Sequence, residues 1–230
     1  MILARPKTVS SILALVGGMK SLVVAGCQEC VTVCQSGGRK EVSCVAQLLE
    51  IAGKKRGFPF EIAQVTVFRQ CDNEYLVPLD VLMEKADACI SLGCGVGVQF
   101  IAERYPTVMV IPGVDTVGGG GTVMSGVWEE RCAMCGECIL AETTGICPVT
   151  RCAKGLLNGP CGGSVDGRCE AGTDLPCAWE MIYHRLKKQG RLDSLTRIRP
   201  PKNWAHSGSG AMRKVIREEV MPCLSVLPLK

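Results

Sequence analysis

Eight cysteines fall between residues 132 and 177, and almost every gap between them is too short to hold a regular helix or strand. The segment begins Arg131-Cys132-Ala133-Met134-Cys135-Gly136-Glu137-Cys138 and continues through Cys147-Pro148, Cys152, Cys161, Cys169 and Cys177. Three thiols spaced C-x2-C-x2-C with a later Cys-Pro follow the ligand grammar of cuboidal iron–sulfur clusters, in which a tight turn aims several thiolates at adjacent irons. Structural zinc more often takes two separated C-x2-C pairs and is the alternative. The eight residues before Cys147 exceed the usual ferredoxin gap of about three, so spacing leaves open which four of the eight thiols share a metal.

A second group lies in the first half. Cys27-x2-Cys30-x3-Cys34 follows the apolar run Leu22-Val23-Val24-Ala25-Gly26, and Cys94 follows another such run inside Gly93-Cys94-Gly95-Val96-Gly97. If both runs are strands of one parallel sheet, both loops emerge at its carboxyl edge, where ligands bind in open α/β sheets. Four thiolates at Cys27, Cys30, Cys34 and Cys94 would then converge on a [4Fe–4S] cluster, with the neighbouring glycines donating amide hydrogens to its sulfurs. The competing reading is a set of buried free thiols. Cys44, Cys71 and Cys89 lie in or beside helical and strand patterns without metal spacing, and read as small core residues.

These sites require elements to hold them. Strand signals at residues 22–26, 62–68, 88–92 and 108–111 alternate with helical patterns at 11–19, 41–52, 78–85 and 96–103, which argues for a parallel sheet of βαβ units. The expected fold class is α/β: a parallel-sheet N-terminal domain over 1–112, then an irregular cysteine-rich cluster domain over 132–195 with a C-terminal helix. Six glycines between Gly113 and Gly126 mark residues 113–131 as a linker. Trp179, Ile182, Tyr183 and Leu186 recur at helical spacing ahead of Gly190, while His184 sits among charged residues and reads as a surface histidine. The tail, 196–230, carries Pro200-Pro201 and a Gly/Ser stretch and is expected to be disordered or laid along a partner. Few large apolar residues occupy the cysteine segment, so metal bonds must supply much of its fold.

Composition removes several function classes. A net charge of +4 with both signs interspersed predicts no polyanion partner, and 4% aromatics provide few stacking platforms, so nucleic-acid binding is not expected. Val24-Ala25-Gly26-Cys27 imitates a lipoprotein cleavage box, but Gly17, Gly18 and Lys20 break the apolar region ahead of it. No apolar run approaches the roughly 20 residues needed to span a bilayer. A reducing cytoplasm is therefore expected, where close cysteines bind metal more often than they pair. Gly93-x-Gly95-x-Gly97 lacks the register of a dinucleotide loop and finds only Asp115 as an acidic partner, while Gly37-Gly38 with Arg39 reads as an ordinary helix start.

The run Arg131-Cys132-x2-Cys135-Gly136-x-Cys138, then Thr144-Gly145-Ile146-Cys147-Pro148-x3-Cys152-x-Lys154, Asn158-Gly159-Pro160-Cys161-Gly162-Gly163 and Gly167-x-Cys169-Glu170, resembles the C-terminal domain associated with methylenetetrahydrofolate reductases. Cys27-x2-Cys30-Val31-x-Val33-Cys34 and Gly93-Cys94-Gly95-Val96-Gly97-Val98-Gln99 resemble the small iron–sulfur subunit of the acetogen enzyme, the MetV type. The resemblance implies electron transfer to a larger flavin-containing subunit that reduces 5,10-methylenetetrahydrofolate to 5-methyltetrahydrofolate, with a further electron-donating complex upstream. Twelve cysteines then carry over as ligand candidates: Cys27, Cys30, Cys34, Cys94, Cys132, Cys135, Cys138, Cys147, Cys152, Cys161, Cys169 and Cys177. They suffice for two or three [4Fe–4S] clusters, with zinc as a possible structural clip at one site and flavin in the partner only. A full (β/α)8 barrel typically takes about 250 residues, so folate chemistry is not expected in this chain. Two other readings stand beside this one: a zinc-stapled interaction module with no redox role, and an enzyme working near Cys94 with Glu29 and Asp115 as its nearest carboxylates.

Overall fold

The computed structural model describes residues 1–172, 174–207, 213–215 and 217. It divides into two compact units, Met1–Ala133 and Met134–Lys230.

The first unit is built on a parallel four-stranded sheet. Its strands are β2 (Ser21–Cys27), β3 (Glu61–Val67), β4 (Ala88–Ser91) and β5 (Met109–Pro112), in the order β3-β2-β4-β5. All four match the expected strands to within a residue or two. Strand β2 is buried on both faces, which is why it reads as a continuous apolar run rather than an alternation. Leu22 and Val24 face one core, with α1 (Val9–Leu15) and α3 (Arg39–Lys55); Val23 and Ala25 face the other, which includes Leu76, Met83 and Ile101. Helix α3 follows from its pattern, since Val42, Ala46, Leu49 and Gly53 form one buried stripe. Its N-terminal amide at Gly38 accepts Glu41 as cap, donating to Oε2 across 2.8 Å, so the expected ordinary helix start is what occupies this glycine pair. Residues 73–79 form a 3₁₀ turn and lead into α4 (Asp80–Met83), and α5 (Gly95–Arg104) follows β4.

Because the chain places β3 on one side of β2 and then crosses to place β4 on the other, the connections diverge between β2 and β4. That is the switch point of a doubly wound sheet, and its carboxyl end is the expected ligand crevice.

Residues 113–131, expected as a linker, form two strands instead. Strand β6 (Val114–Met124) pairs antiparallel with β1 (Ile2–Pro6) on one side and with β7 (Val127–Cys132) on the other. The glycine run misleads because a strand needs backbone donors and acceptors more than side chains, and here both edges of the run are hydrogen-bonded. At Gly120 glycine is required: a Cβ there would meet the Glu129 carbonyl oxygen at 1.9 Å. The N-terminal lead-in acquires its role in the same way, with Lys7 ion-paired to Asp115.

The second unit contains little regular structure. It has α6 (Pro148–Arg151), the two-residue strands β8 (Ser164–Val165) and β9 (Arg168–Cys169), and α7 (Ala178–Lys188). Trp179, Ile182 and Leu186 of α7 pack with Ile146 and Cys177 into a small core, and Trp179 donates its indole N–H to the Leu156 carbonyl across 3.0 Å. Tyr183, expected on the buried face, is 36% exposed. His184 is exposed as expected, 3.7 Å from Glu180. Gly190 closes the helix at φ +64°.

The start of the tail also departs from expectation. Arg199 donates to Glu142 across 2.6 Å, lies over the Trp179 ring, and exchanges backbone bonds with the Asn158 amide group, while buried Lys202 donates to the Glu137 carbonyl. Residues 199–203 are thus laid along their own cysteine segment, because two cations find acceptors there. The rest of the tail largely falls outside the described residues. Among the described residues, no helix is long and apolar enough to cross a membrane.

Candidate metal centres

The first unit gathers thiols at the carboxyl edge of the parallel sheet. Cys27 ends β2, Cys30 opens the short helix α2 (Cys30–Val33), and Cys94 caps α5 at the end of β4. Their thiolates interact electrostatically, since Cys94 and Cys30 both push the Cys27 thiol up. Burial is the larger cause of that rise, and the backbone N–H groups of Glu29 and Gln70 work against it by hydrogen bonding to the sulfur.

Cys34 lies against β1. Its sulfur is buried 3.1 Å from the Ser36 hydroxyl, facing the carbonyl oxygens of Val31, Ala4 and Ile2 at 3.8, 3.9 and 4.0 Å. Cys71 lies in the loop that follows β3. Its thiol is raised first by burial and then by Cys94 and Cys27, so it lies within electrostatic range of both. Cys71 is exposed and so is not the core residue expected, and Cys44 is likewise exposed on α3. Cys89 alone behaves as the buried residue expected, fully enclosed with its thiol pushed up to about 12.

Gln70 explains why the loop after β3 sits here. Its buried side chain donates Nε2 to the Ala25 carbonyl of β2 at 3.0 Å and accepts the Ser91 hydroxyl of β4 on Oε1 at 2.7 Å. A Cβ at Gly93 would meet that Oε1 at 1.9 Å, and one at Gly97 would meet Gln70 Cβ at 2.7 Å. These glycines make room for Gln70. The Gly93 N–H donates to the Ser91 hydroxyl and the Gly95 N–H to Thr116. Glu29 and Asp115, the carboxylates of the enzyme reading, each face a cation, Arg69 at 3.7 Å and Lys7.

In the second unit, four cysteines surround one cavity of about 260 Å³: Cys152, Cys161, Cys169 and Cys177. Each stands at a chain reversal or element end. Cys152 follows α6, Cys161 lies in the Gly-Pro-Cys-Gly-Gly turn, Cys169 ends β9 and Cys177 caps α7. The Gly163 amide donates to the Cys161 sulfur at 3.4 Å and the Lys154 ammonium approaches it at 3.7 Å, which together hold that thiol below its ordinary value. Spacing alone did not choose these four from the eight. Cys135, Cys138 and Cys147 lie outside the cavity lining. Burial raises Cys135, but the Glu137 amide and the Lys202 ammonium outweigh it and leave the thiol lowered. Cys132 ends β7 in the first unit.

Thiol-only donor sets suit soft metals, meaning zinc or iron–sulfur clusters. Among the described residues no three His, Cys, Asp or Glu side chains are close enough to hold a single metal ion. A zinc ion asks for sulfurs about 2.3 Å from one centre, whereas a cuboidal cluster takes each thiolate on a different iron.

Residues 111–205 match the family model described as methylene-tetrahydrofolate reductase C terminal. The match covers the β6–β7 hairpin, the cysteine segment and α7, which is less than half of the 230-residue chain. Comparison with curated proteins and with solved structures gave no match. The resemblance read from the motifs is thereby upheld, for this part of the chain, as a link to methylenetetrahydrofolate reductase.

Proposed function

We propose that this chain is an iron–sulfur electron-transfer subunit, of the MetV type, serving a flavin-containing methylenetetrahydrofolate reductase subunit. The observation that carries the proposal is the four-cysteine cavity of the second unit, which lies inside the segment matched to the reductase family. Clusters held there and at the sheet edge would supply one-electron steps to a partner's flavin, which needs two electrons and two protons for each methylene group reduced to methyl. The chain's own residues do the positioning. Turns and helix ends aim the thiols, and backbone amides of Glu29, Gln70 and Gly163 with the Lys154 ammonium offset the negative charge that thiolates bring.

The test is iron, zinc and acid-labile sulfide content per chain after anaerobic purification. About eight irons with matching sulfide is the expected result for two cuboidal sites, and about twelve for three. Zinc without iron would overturn the electron-transfer reading and leave a structural module.

A further inference from the structure

We propose that Cys71, and not Cys34, completes the sheet-edge site with Cys27, Cys30 and Cys94, and that these four thiolates hold one cuboidal iron–sulfur cluster. The identity of the bound group rests on the iron–sulfur reading above; the choice of residues rests on the geometry of the first unit.

Three strands converge there. Cys27 is the last residue of β2 and pairs in register with Val67, the last residue of β3. The chain beyond Val67 passes close by, with the Cys27 sulfur 3.8 Å from the Phe68 carbonyl and the Gln28 amide bonded to the Val67 carbonyl. Two residues further on, buried Gln70 is fastened to both β2 and β4. The next residue is Cys71, so its position is fixed by the same bridge that joins the strands bearing Cys27 and Cys94. Every member of the set follows or ends a parallel strand, at the crevice where the connections diverge.

The surroundings of the sulfurs separate the two candidates. A ligating sulfur carries negative charge and is stabilised by N–H donors. Cys27 has two, from Glu29 and Gln70. The Cys34 sulfur faces three carbonyl oxygens and the Ser36 hydroxyl, where the Cys27 sulfur faces one carbonyl, that of Phe68. The Cys34 sulfur thus lies against β1, by the carbonyls of Ile2 and Ala4.

The experiment compares the anaerobically purified full chain with its Cys71→Ser and Cys34→Ser variants, reading iron, sulfide and the electron paramagnetic resonance of the reduced protein. Cys71→Ser should lose about four irons, or retain them with one altered signal; Cys34→Ser should keep the iron content and spectrum of the parent. Alkylation mapped by mass spectrometry guards against a folding defect. In the iron-loaded parent Cys71 should resist iodoacetamide and become labelled once chelator removes the iron, whereas exposed Cys44 should be labelled in both states. Labelling of Cys71 in a parent that contains its iron overturns this assignment alone, as does loss of the cluster in Cys34→Ser with Cys71→Ser unaffected. A parent without iron and sulfide overturns both this assignment and the electron-transfer reading.

Discussion

Ser91 donates its hydroxyl to Gln70 across 2.7 Å in a fully buried setting, and through it a loop residue joins two neighbouring strands. Deleting one partner of such a bond leaves the other without water or protein to replace it, at a cost of about 1–3 kcal/mol. Gln70→Ala should therefore lower the thermal midpoint of the first unit by several degrees and loosen the loop carrying Cys71. Calorimetry together with the reactivity of Cys71 toward iodoacetamide in the iron-free chain would show both effects; an unchanged midpoint would mean that Gln70 is not the bridge.

If Cys152, Cys161, Cys169 and Cys177 serve one centre, serine replacements at each should remove the same quantity of metal, since three remaining thiolates rarely retain what four were placed to hold. Metal analysis of the four single variants checks this. Unequal losses would divide the set between two centres.

Trp179 is the largest side chain buried in the second unit, and few others share its core. Trp179→Ala should cost about 3–5 kcal/mol. Limited proteolysis should then cut within Met134–Lys230 far faster than in the parent, with β2 to β5 still protected. If this unit holds a metal as proposed, its removal by chelator should act in the same direction and shift Trp179 fluorescence to the red, since thiolate–metal bonds would then supply what this small core does not.

Cys89 gives a pH dependence with a definite sign. Its thiol has an ordinary value of 9.0 and is pushed up to about 12 by burial. A group raised on folding contributes its full stability below the unfolded value and loses it as pH climbs toward the folded one. Cys89→Ala should be the weaker protein at pH 7, by about 1 kcal/mol, and the difference should shrink between roughly pH 9 and pH 12. Urea midpoints of the two chains across that range measure it; a constant gap would mean that Cys89 does not stay neutral.

The parallel sheet was legible because its two central strands, β2 and β4, are buried on both faces and a helix such as α3 carries a regular apolar stripe. What failed to show depended on partners distant in sequence. Gly118 to Gly121 look like a linker until Ile2 and Leu3 are seen to pair along them. Cys34 reads as a ligand from its place four residues after Cys30; that its sulfur lies against the Ile2 and Ala4 carbonyls of β1 depends on a pairing the sequence does not show. Cys71 carried a usable signal, a cysteine just beyond a strand end, like Cys27 and Cys94, but no neighbouring cysteine drew attention to it. Grouping in the second unit was hidden for a different reason: chain reversals such as Asn158-Gly159-Pro160 bring together thiols whose separations in sequence follow no rule.

The glycine-rich strand also sets limits on how this chain can be divided. A fragment begun at residue 111, where the family match begins, would carry β6 and β7 but leave β1 behind, exposing one open edge in each piece. A cut at Ala133 keeps that sheet whole, but it severs Cys132 from the Cys135 and Cys138 that complete its motif. The segment 131–135 belongs to a sheet ladder at one end and to a run of three closely spaced cysteines at the other. Neither half is a cassette that could be exchanged between proteins without repair.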